Sequence, residues 1–346
     1  MIIYIIGFLI TMAFAYQATC FRKEQRLLFA ILSMLPLTII SAIRYNVGTD
    51  YMGIYVNIFK GFVADSPYAG SEFEPGFRLL NRLISYVTKD YQWLFVVTSV
   101  VFGAFTFSNI YRQSRNVLLS LFFYMTMSVY FMSMNIVRQF MALSIAYAAI
   151  PCIQEKKLLR YTLIILFASL FHVSVLLLLP LYWAGRFSWN RRFSLTVAGI
   201  GIAASGLLAV LLRYLLPVLF GGRYIRYLSG AAEGRVWIFL IAFAFYLLTL
   251  FVNPSDKKVW ICVTVNLVIG VMTWFIPVME RVSFIVTYGM MLYMPSLFES
   301  IPHRTERTII KCVCMAFFVV YIYYSIAVNH SHNVLPYQTI FQAVRL

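Results

Sequence analysis

Apolar runs of about twenty residues return along the whole chain. They lie at 1–20, 27–43, 91–111, 117–134, 136–153, 195–219, 236–252, 259–278, 282–299 and 309–328. A helix rises about 1.5 Å per residue, so each run matches a hydrocarbon core about 30 Å thick. In that medium every backbone N–H and C=O must be satisfied internally, which leaves helices or closed barrels. A transmembrane barrel would instead alternate over segments of about ten residues. The pattern therefore predicts an all-α polytopic membrane protein: one integral-membrane domain over 1–346 with about ten transmembrane helices. Composition agrees, with 62% hydrophobic and 12% charged residues against about 25% charged in soluble domains. A soluble enzyme, a coiled coil and a disordered chain are excluded.

The net charge of +16 would suggest nucleic acid in a soluble protein. Here the basic residues come as short clusters between apolar runs, which marks cytoplasmic loops instead. The cluster Arg22, Lys23, Arg26 follows the first run, so that run reads as an uncleaved span with its N-terminus outside. One further run, 161–182, carries Phe171-His172-Val173-Ser174 at its centre. If it enters and leaves on the cytoplasmic side, most basic clusters face inward; a full crossing inverts every later loop and removes the excess. A broken or re-entrant helix pair around His172 is the expectation, with a single straight span as the alternative. Broken helices at membrane depth are tolerated where they line a polar cavity.

The largest stretch outside the runs is 44–90, an extracytoplasmic loop with balanced charge. Tyr51, Ile54, Tyr55, Ile58, Phe59 and Phe62 recur at helical spacing, as do Phe77, Leu80, Ile84 and Val87. Both sets predict amphipathic helices lying on the outer surface. A second outside loop is expected at 221–235. The five cysteines, Cys20, Cys152, Cys262, Cys312 and Cys314, sit in or beside apolar runs without metal-type spacing and read as small thiols buried in the membrane. No internal repeat or low-complexity segment is visible.

No part of the chain is long enough for a nucleotide-binding fold, and no Gly-rich phosphate loop occurs. Chemistry must therefore come from residues among the helices and the 44–90 loop. Arg44 and Asp50 flank a Gly48 turn; they read as a snorkelling arginine and a helix cap, or as a cation and a carboxylate at a cavity mouth. Glu74 precedes Pro75-Gly76 and can cap a helix or act as a general base. Asn135-Ile136-Val137-Arg138-Gln139 interrupts nearly forty apolar residues. A lipid-facing Arg138 would cost about 2.5–3.5 kcal/mol or more, so it should face a polar interior, with Asn135 and Gln139 one helical turn apart beside it. His172 and Ser174, two apart, should point away from each other on a helix, which argues against a serine nucleophile. Glu280-Arg281 is either a local ion pair or a further cation on the outer side. Arg44, Arg138 and Arg281, joined by Arg223, Arg226 and Arg235, suit a polyanion such as a lipid diphosphate, because guanidinium forks match phosphate oxygens.

The ordered set Arg44…Val47-Gly48-Thr49-Asp50-Tyr51…Tyr55, Glu74-Pro75-Gly76-Phe77…Asn81, Asn135-Ile136-Val137-Arg138-Gln139, Phe171-His172-Val173-Ser174, Arg281 and Pro336-Tyr337 resembles the EpsG family of exopolysaccharide polymerases, itself similar to the Wzy-type polymerases. The resemblance implies a multi-pass enzyme of the bacterial cytoplasmic (inner) membrane with its active site facing outward. It implies that undecaprenyl-diphosphate-linked oligosaccharide units are joined there, with a flippase and a chain-length regulator of the same pathway as partners beside the bilayer. On this reading Arg138, Arg281 and Arg44 stabilise the leaving diphosphate. Asn135, Gln139, Tyr51, Tyr55, Arg223 and Arg226 contribute to substrate binding. His172 is the leading base for the acceptor hydroxyl, with Glu74 and Asp50 behind it. No cofactor is expected, and no metal either, since no D-x-D occurs. Alternatives from other classes are a flippase or transporter of lipid-linked sugars and a membrane O-acyltransferase. Transporters commonly carry paired repeats and midplane acids, and neither is visible.

Overall fold

A computed structural model describes residues 1–21, 23–220, 233–276 and 279–343. Over the described residues the ten apolar runs fall largely on helices, and packing divides the chain into two compact units: Met1–Tyr182 with Cys312–Leu346, and Trp183–Lys311. Among the described residues five helices are long and apolar enough to cross a membrane, or six if one bent pair counts as a span. The remaining runs include shorter or interrupted helices.

In the first unit α1 (Ile2–Cys20) and α2 (Lys23–Ala42) pack as a hairpin. Small residues set the close approaches, as in membrane bundles generally. Gly7 lies directly against the Ile40 side chain, and a Cβ on Gly103 would stand 2.5 Å from Thr38 Oγ1, where α5 (Gln92–Gln113) meets α2. On its other side α5 packs against α8 (Val137–Tyr147), where Asn109 Nδ2 donates to Ser144 O (2.8 Å) and Gln113 Nε2 to Tyr147 O (2.9 Å). In the outer loop the chain makes a π-helical turn over Tyr51–Val56, then α3 (Asn57–Val63) and α4 (Pro75–Val87). Phe77, Asn81 and Ile84 form the buried face of α4. Val87, expected on that face, is 87% exposed, with Leu79, Leu83 and Tyr86 also outward.

Two stretches that read as continuous spans are broken. α6 (Val117–Thr126) and α7 (Val129–Asn135) bend by 50° at Ser128, which is left-handed with φ +65°. Run 136–153 yields only the eleven residues of α8, then a turn and α9 (Pro151–Gln154). Pro151 explains the stop: its ring opposes the carbonyl four residues back, that of Tyr147, and it offers no N–H. The third break is the expected one. α10 (Leu158–Ser169) has twelve residues, about 18 Å, and cannot span alone. His172 is extended (φ −160°, ψ 122°) and opens a 3₁₀ turn over Val173–Leu178, followed by α11 (Leu181–Ala184).

The second unit contains four longer helices, α12 (Arg191–Phe220), α13 (Glu233–Val252), α14 (Lys257–Phe275) and α15 (Met279–Glu299). α14 packs on the other three. A Cβ on Gly201 of α12 would reach within 2.6 Å of Val268. Ser194 Oγ joins Thr264 Oγ1 (2.7 Å) and Tyr246 OH (3.1 Å), tying three helices through hydroxyls alone. After α16 (Arg304–Tyr323), residues 330–340 form an irregular tail that belongs to the first unit, ending in α17 (Ile340–Ala343).

Candidate functional site

The site is built where three backbone irregularities of the first unit converge. α4 begins at Pro75, as Pro at the first helical position favours, but the Glu74 carboxylate makes no cap bond. It turns inward instead. Glu74 Oε2 pairs with Arg138 Nη1, and Glu74 Oε1 accepts the Val173 N–H at 3.2 Å. One carboxylate thus couples the start of α8 to the break after α10. Gly76 makes this possible: its N–H donates to Leu170 O at 2.8 Å, and any Cβ there would lie 2.8 Å from that oxygen and from Leu170 Cβ.

The Arg138 guanidinium lies over the Phe73 ring, 3.8 Å from its centroid, with Phe77 at 5.9 Å. Its side chain remains 21% exposed, and among the described residues its buried Nε–H has no hydrogen-bond acceptor. Tyr55 completes this wall. Burial raises its hydroxyl above the usual phenol range, while the neighbouring Arg138 pulls it back and Asp50 pushes it up. Both the cation and the Asp50 carboxylate are therefore felt at one hydroxyl.

His172 and Ser174 meet, contrary to the expectation that they point apart. That expectation assumed a continuous helix; His172 is instead an extended cap. Its Nδ1 stands 2.8 Å from Ser174 Oγ and accepts the Ser174 N–H at 3.3 Å. The grouping of Asn135 and Gln139 on one helical face also needs correction. Ile136 (φ −93°, ψ 53°) separates them, with Asn135 ending α7 and Gln139 buried in the first turn of α8. Asn135 Oδ1 accepts the Thr49 N–H (2.5 Å) and lies 3.0 Å from Thr49 Oγ1. Gly48, at φ +112°, fits against it; a Cβ there would be 2.9 Å from Asn135 Oδ1. Asp50 occupies the cap position before the π-helical turn but makes no side-chain cap bond.

Arg44 does not sit at a cavity mouth. It is 1% exposed, and both terminal nitrogens of its guanidinium are spent on internal acceptors, while its buried Nε–H has none among the described residues. Nη1 reaches Ser41 O, Ser41 Oγ (3.0 Å) and Ser99 Oγ (3.4 Å), and Nη2 reaches Met134 O at 3.3 Å. The Phe95 ring lies 4.7 Å from it. Tyr51 is sealed in the same packing, stacked on Phe95 at 4.1 Å, its hydroxyl bonded to Gln92 Oε1 (2.9 Å) and Arg44 O (3.2 Å). The tail straps this region. Tyr45 N–H donates to Gln338 O (2.9 Å), Gly48 N–H to Asn333 O (3.0 Å) and Ile340 N–H to Ile43 O (3.1 Å). Tyr337 OH donates to Ile40 O (2.8 Å) and Tyr4 OH to Val334 O (3.0 Å).

Arg281 belongs to the second unit and is exposed in the first turn of α15. Arg223 and Arg226 lie outside the described residues. The first unit thus brings together Glu74, Arg138, His172, Asp50, Asn135 and Tyr55. Residue-by-residue reading of the sequence missed Phe73, Thr49 and Gln92. Phe73 could have been found as an aromatic directly before Glu74-Pro75-Gly76. The other two act through contacts more than forty residues distant in sequence, which leave no local signal. Among the described residues no group of three His, Cys, Asp or Glu side chains could hold a metal ion.

These features define a helical membrane protein whose polar groups gather at broken helices. The chain belongs to the EpsG family, whose description matches residues 27–339, and is on that ground an exopolysaccharide polymerase-like membrane protein. No curated protein and no solved structure matches it.

Proposed function

We propose that this protein polymerises oligosaccharide units carried on undecaprenyl diphosphate, at the outer face of the bacterial cytoplasmic membrane. Arg138 carries this reading. It is a largely enclosed cation at membrane-helix ends, fixed in plane by Phe73 and on one side by Glu74, with a fifth of its side chain still exposed. A diphosphate oxygen is the acceptor such a fork suits. The growing chain on its lipid diphosphate is the donor. Negative charge develops on the diphosphate as the anomeric C–O bond breaks, and a preorganised guanidinium stabilises it. The acceptor is a sugar hydroxyl of the next lipid-linked unit. A flippase to deliver units and a regulator of chain length are the partners this reaction calls for.

The test is reconstitution in vesicles with lipid-diphosphate-linked oligosaccharide. Wild-type protein should produce a ladder of lengthened glycan, and Arg138→Ala, inserted normally, should lower its rate by about a hundredfold or more. Movement of unlengthened substrate across the bilayer, with no ladder, would identify a transporter instead.

A further inference from the structure

The hydrogen bonds of the site distribute proton roles among its three candidate groups, and this distribution rests on the polymerase reading above. A neutral imidazole has one N–H and one lone pair. A backbone N–H can only donate, so the Ser174 N–H at 3.3 Å requires the lone pair on His172 Nδ1. Ser174 Oγ, 2.8 Å from the same nitrogen, is then the donor of that contact. The ring proton is thereby assigned to Nε2. This tautomer is imposed by the backbone, because His172 caps the 3₁₀ turn that follows the break. A base needs its lone pair facing the substrate; this ring turns its lone pair into the chain.

Glu74 is equally committed. One oxygen is on Arg138 and the other on the Val173 N–H, so taking a proton would weaken both contacts. Asp50 differs. Among the described residues its only side-chain hydrogen bond comes from Thr49 Oγ1, at 3.3 Å on Oδ1. It is half-buried and free of capping duty. It is also tied into the site from two sides. Thr49 holds Asn135, three residues before Arg138, and Tyr55, which lies beside Arg138, has its N–H on Asp50 O at 3.1 Å.

We infer that Asp50 is the proton acceptor of the glycosyl transfer and that His172 acts as a donor through Nε2–H, opposite to the assignment expected from residue type alone. In the step, the acceptor hydroxyl oxygen bonds to the anomeric carbon of the donor while its proton passes to the Asp50 carboxylate. The anomeric carbon–oxygen bond breaks, and its electron pair stays on the departing lipid diphosphate, which Arg138 and His172 Nε2–H face. A carboxylate taking the proton of an attacking oxygen is the arrangement of inverting glycoside hydrolysis.

Side-chain mimics separate the roles. Gln places an N–H near the imidazole Nε2, whereas Asn places an oxygen near Nδ1 and keeps only the cap. In the vesicle assay, with insertion and thermal stability checked for each variant, His172→Gln should retain at least about a tenth of the wild-type rate. His172→Asn, His172→Ala and Asp50→Asn should each fall about a hundredfold. The loss in Asp50→Asn should lie in kcat, with KM for the lipid-linked donor little changed. His172→Gln as inactive as His172→Ala would overturn the donor role, as would full activity in His172→Asn. Asp50→Asn within threefold of wild type would overturn the acceptor role. Should Asp50→Asn fail to insert, Asp50→Glu and Asp50→Gln replace it; activity in the first alone supports the assignment, and equal rates sink it. Wild-type protein that makes no polymer in the same vesicles would instead overturn the polymerase reading itself.

Discussion

Arg44 and Arg138 stand on either side of the same backbone break, yet their surroundings give them opposite work. Arg44 reaches the carbonyl of Met134, one residue before Asn135 ends its helix; Arg138 lies at the start of the next helix. Each lies against a phenylalanine ring. Arg44 hydrogen-bonds to backbone carbonyls and serine hydroxyls and is closed off. Among the described residues no carboxylate pairs with it, and its charge rests on fixed dipoles of the chain. Arg138 meets a carboxylate and keeps a fifth of its side chain exposed. A guanidinium enclosed by carbonyls and hydroxyls, out of reach of any ligand, holds structure. One balanced by a single carboxylate can exchange part of that partnership for a bound anion.

The sharpest way to break this contrast is to remove each arginine. Arg44→Ala would leave Ser41 O and Met134 O without their charged donor and open a hole beside Phe95. A loss of about 3–4 kcal/mol is expected, since each hydrogen bond to a charged group contributes about 1.5–3 kcal/mol. Thermal unfolding in detergent should show a midpoint several degrees lower, with reduced yield. Arg44→Lys should not restore it, because one ammonium cannot serve both helices. Arg138→Ala should keep most of the wild-type stability and lose the reaction. Equal loss of stability in both variants would remove the distinction.

Much of this was legible in the sequence, and the failures have two causes. The apolar runs located the helices because burial in lipid leaves few alternatives. The break at His172 was legible because polar residues interrupt an apolar run in a charge pattern that disfavours a crossing. Arg138 was legible because its cost in lipid demands a polar setting. Arg44 was misplaced because a span end beside a turn looks the same whether the arginine snorkels or folds inward; only the distant residues Ser99 and Met134 decide. His172 and Ser174, like Asn135 and Gln139, were read with helical geometry at places where the backbone is not helical. The backbone angles at His172 and Ile136 overturned both readings.

Gly76 tests whether the Arg138 side depends on placement. Alanine there forces a Cβ against Leu170 backbone, which cannot rotate away as a side chain could. The helix from Pro75 must move off, and Glu74 with it. A displacement near 1 Å costs about a hundredfold in a preorganised site, so Gly76→Ala should insert normally and polymerise about a hundred times more slowly. Gly53→Ala, with nothing within 4 Å of the new Cβ, is the matched control and should be near wild type. Phe73→Leu is milder. It preserves apolar bulk but removes the aromatic face under Arg138, a contact of about 0.5–2 kcal/mol. The rate should fall about 2- to 30-fold, with the stability midpoint little changed. An unchanged rate would mean that Phe73 only fills space.

The smallest effect belongs to the strap on the Arg44 side. Tyr337→Phe deletes one hydroxyl bond, to Ile40 O, and leaves the backbone bonds from Tyr45, Gly48 and Ile340 in place. A single neutral hydrogen bond contributes about 1 kcal/mol, so the unfolding midpoint should drop slightly and the polymerisation rate should stay within about threefold. Tyr4→Phe deletes the bond to Val334 O with the same expectation. The two tyrosine rings meet edge-on, 5.3 Å between centroids, so the losses need not add. A double-mutant cycle reads their coupling, expected at about 0.5 kcal/mol or more for residues in contact. If Tyr337→Phe instead slows polymerisation by much more than it lowers stability, the strap is transmitting to the chemistry through Gly48 and Asn135. The sealed arginine would then be supporting the open one directly, and the two sides of the break would have to be treated as one working unit.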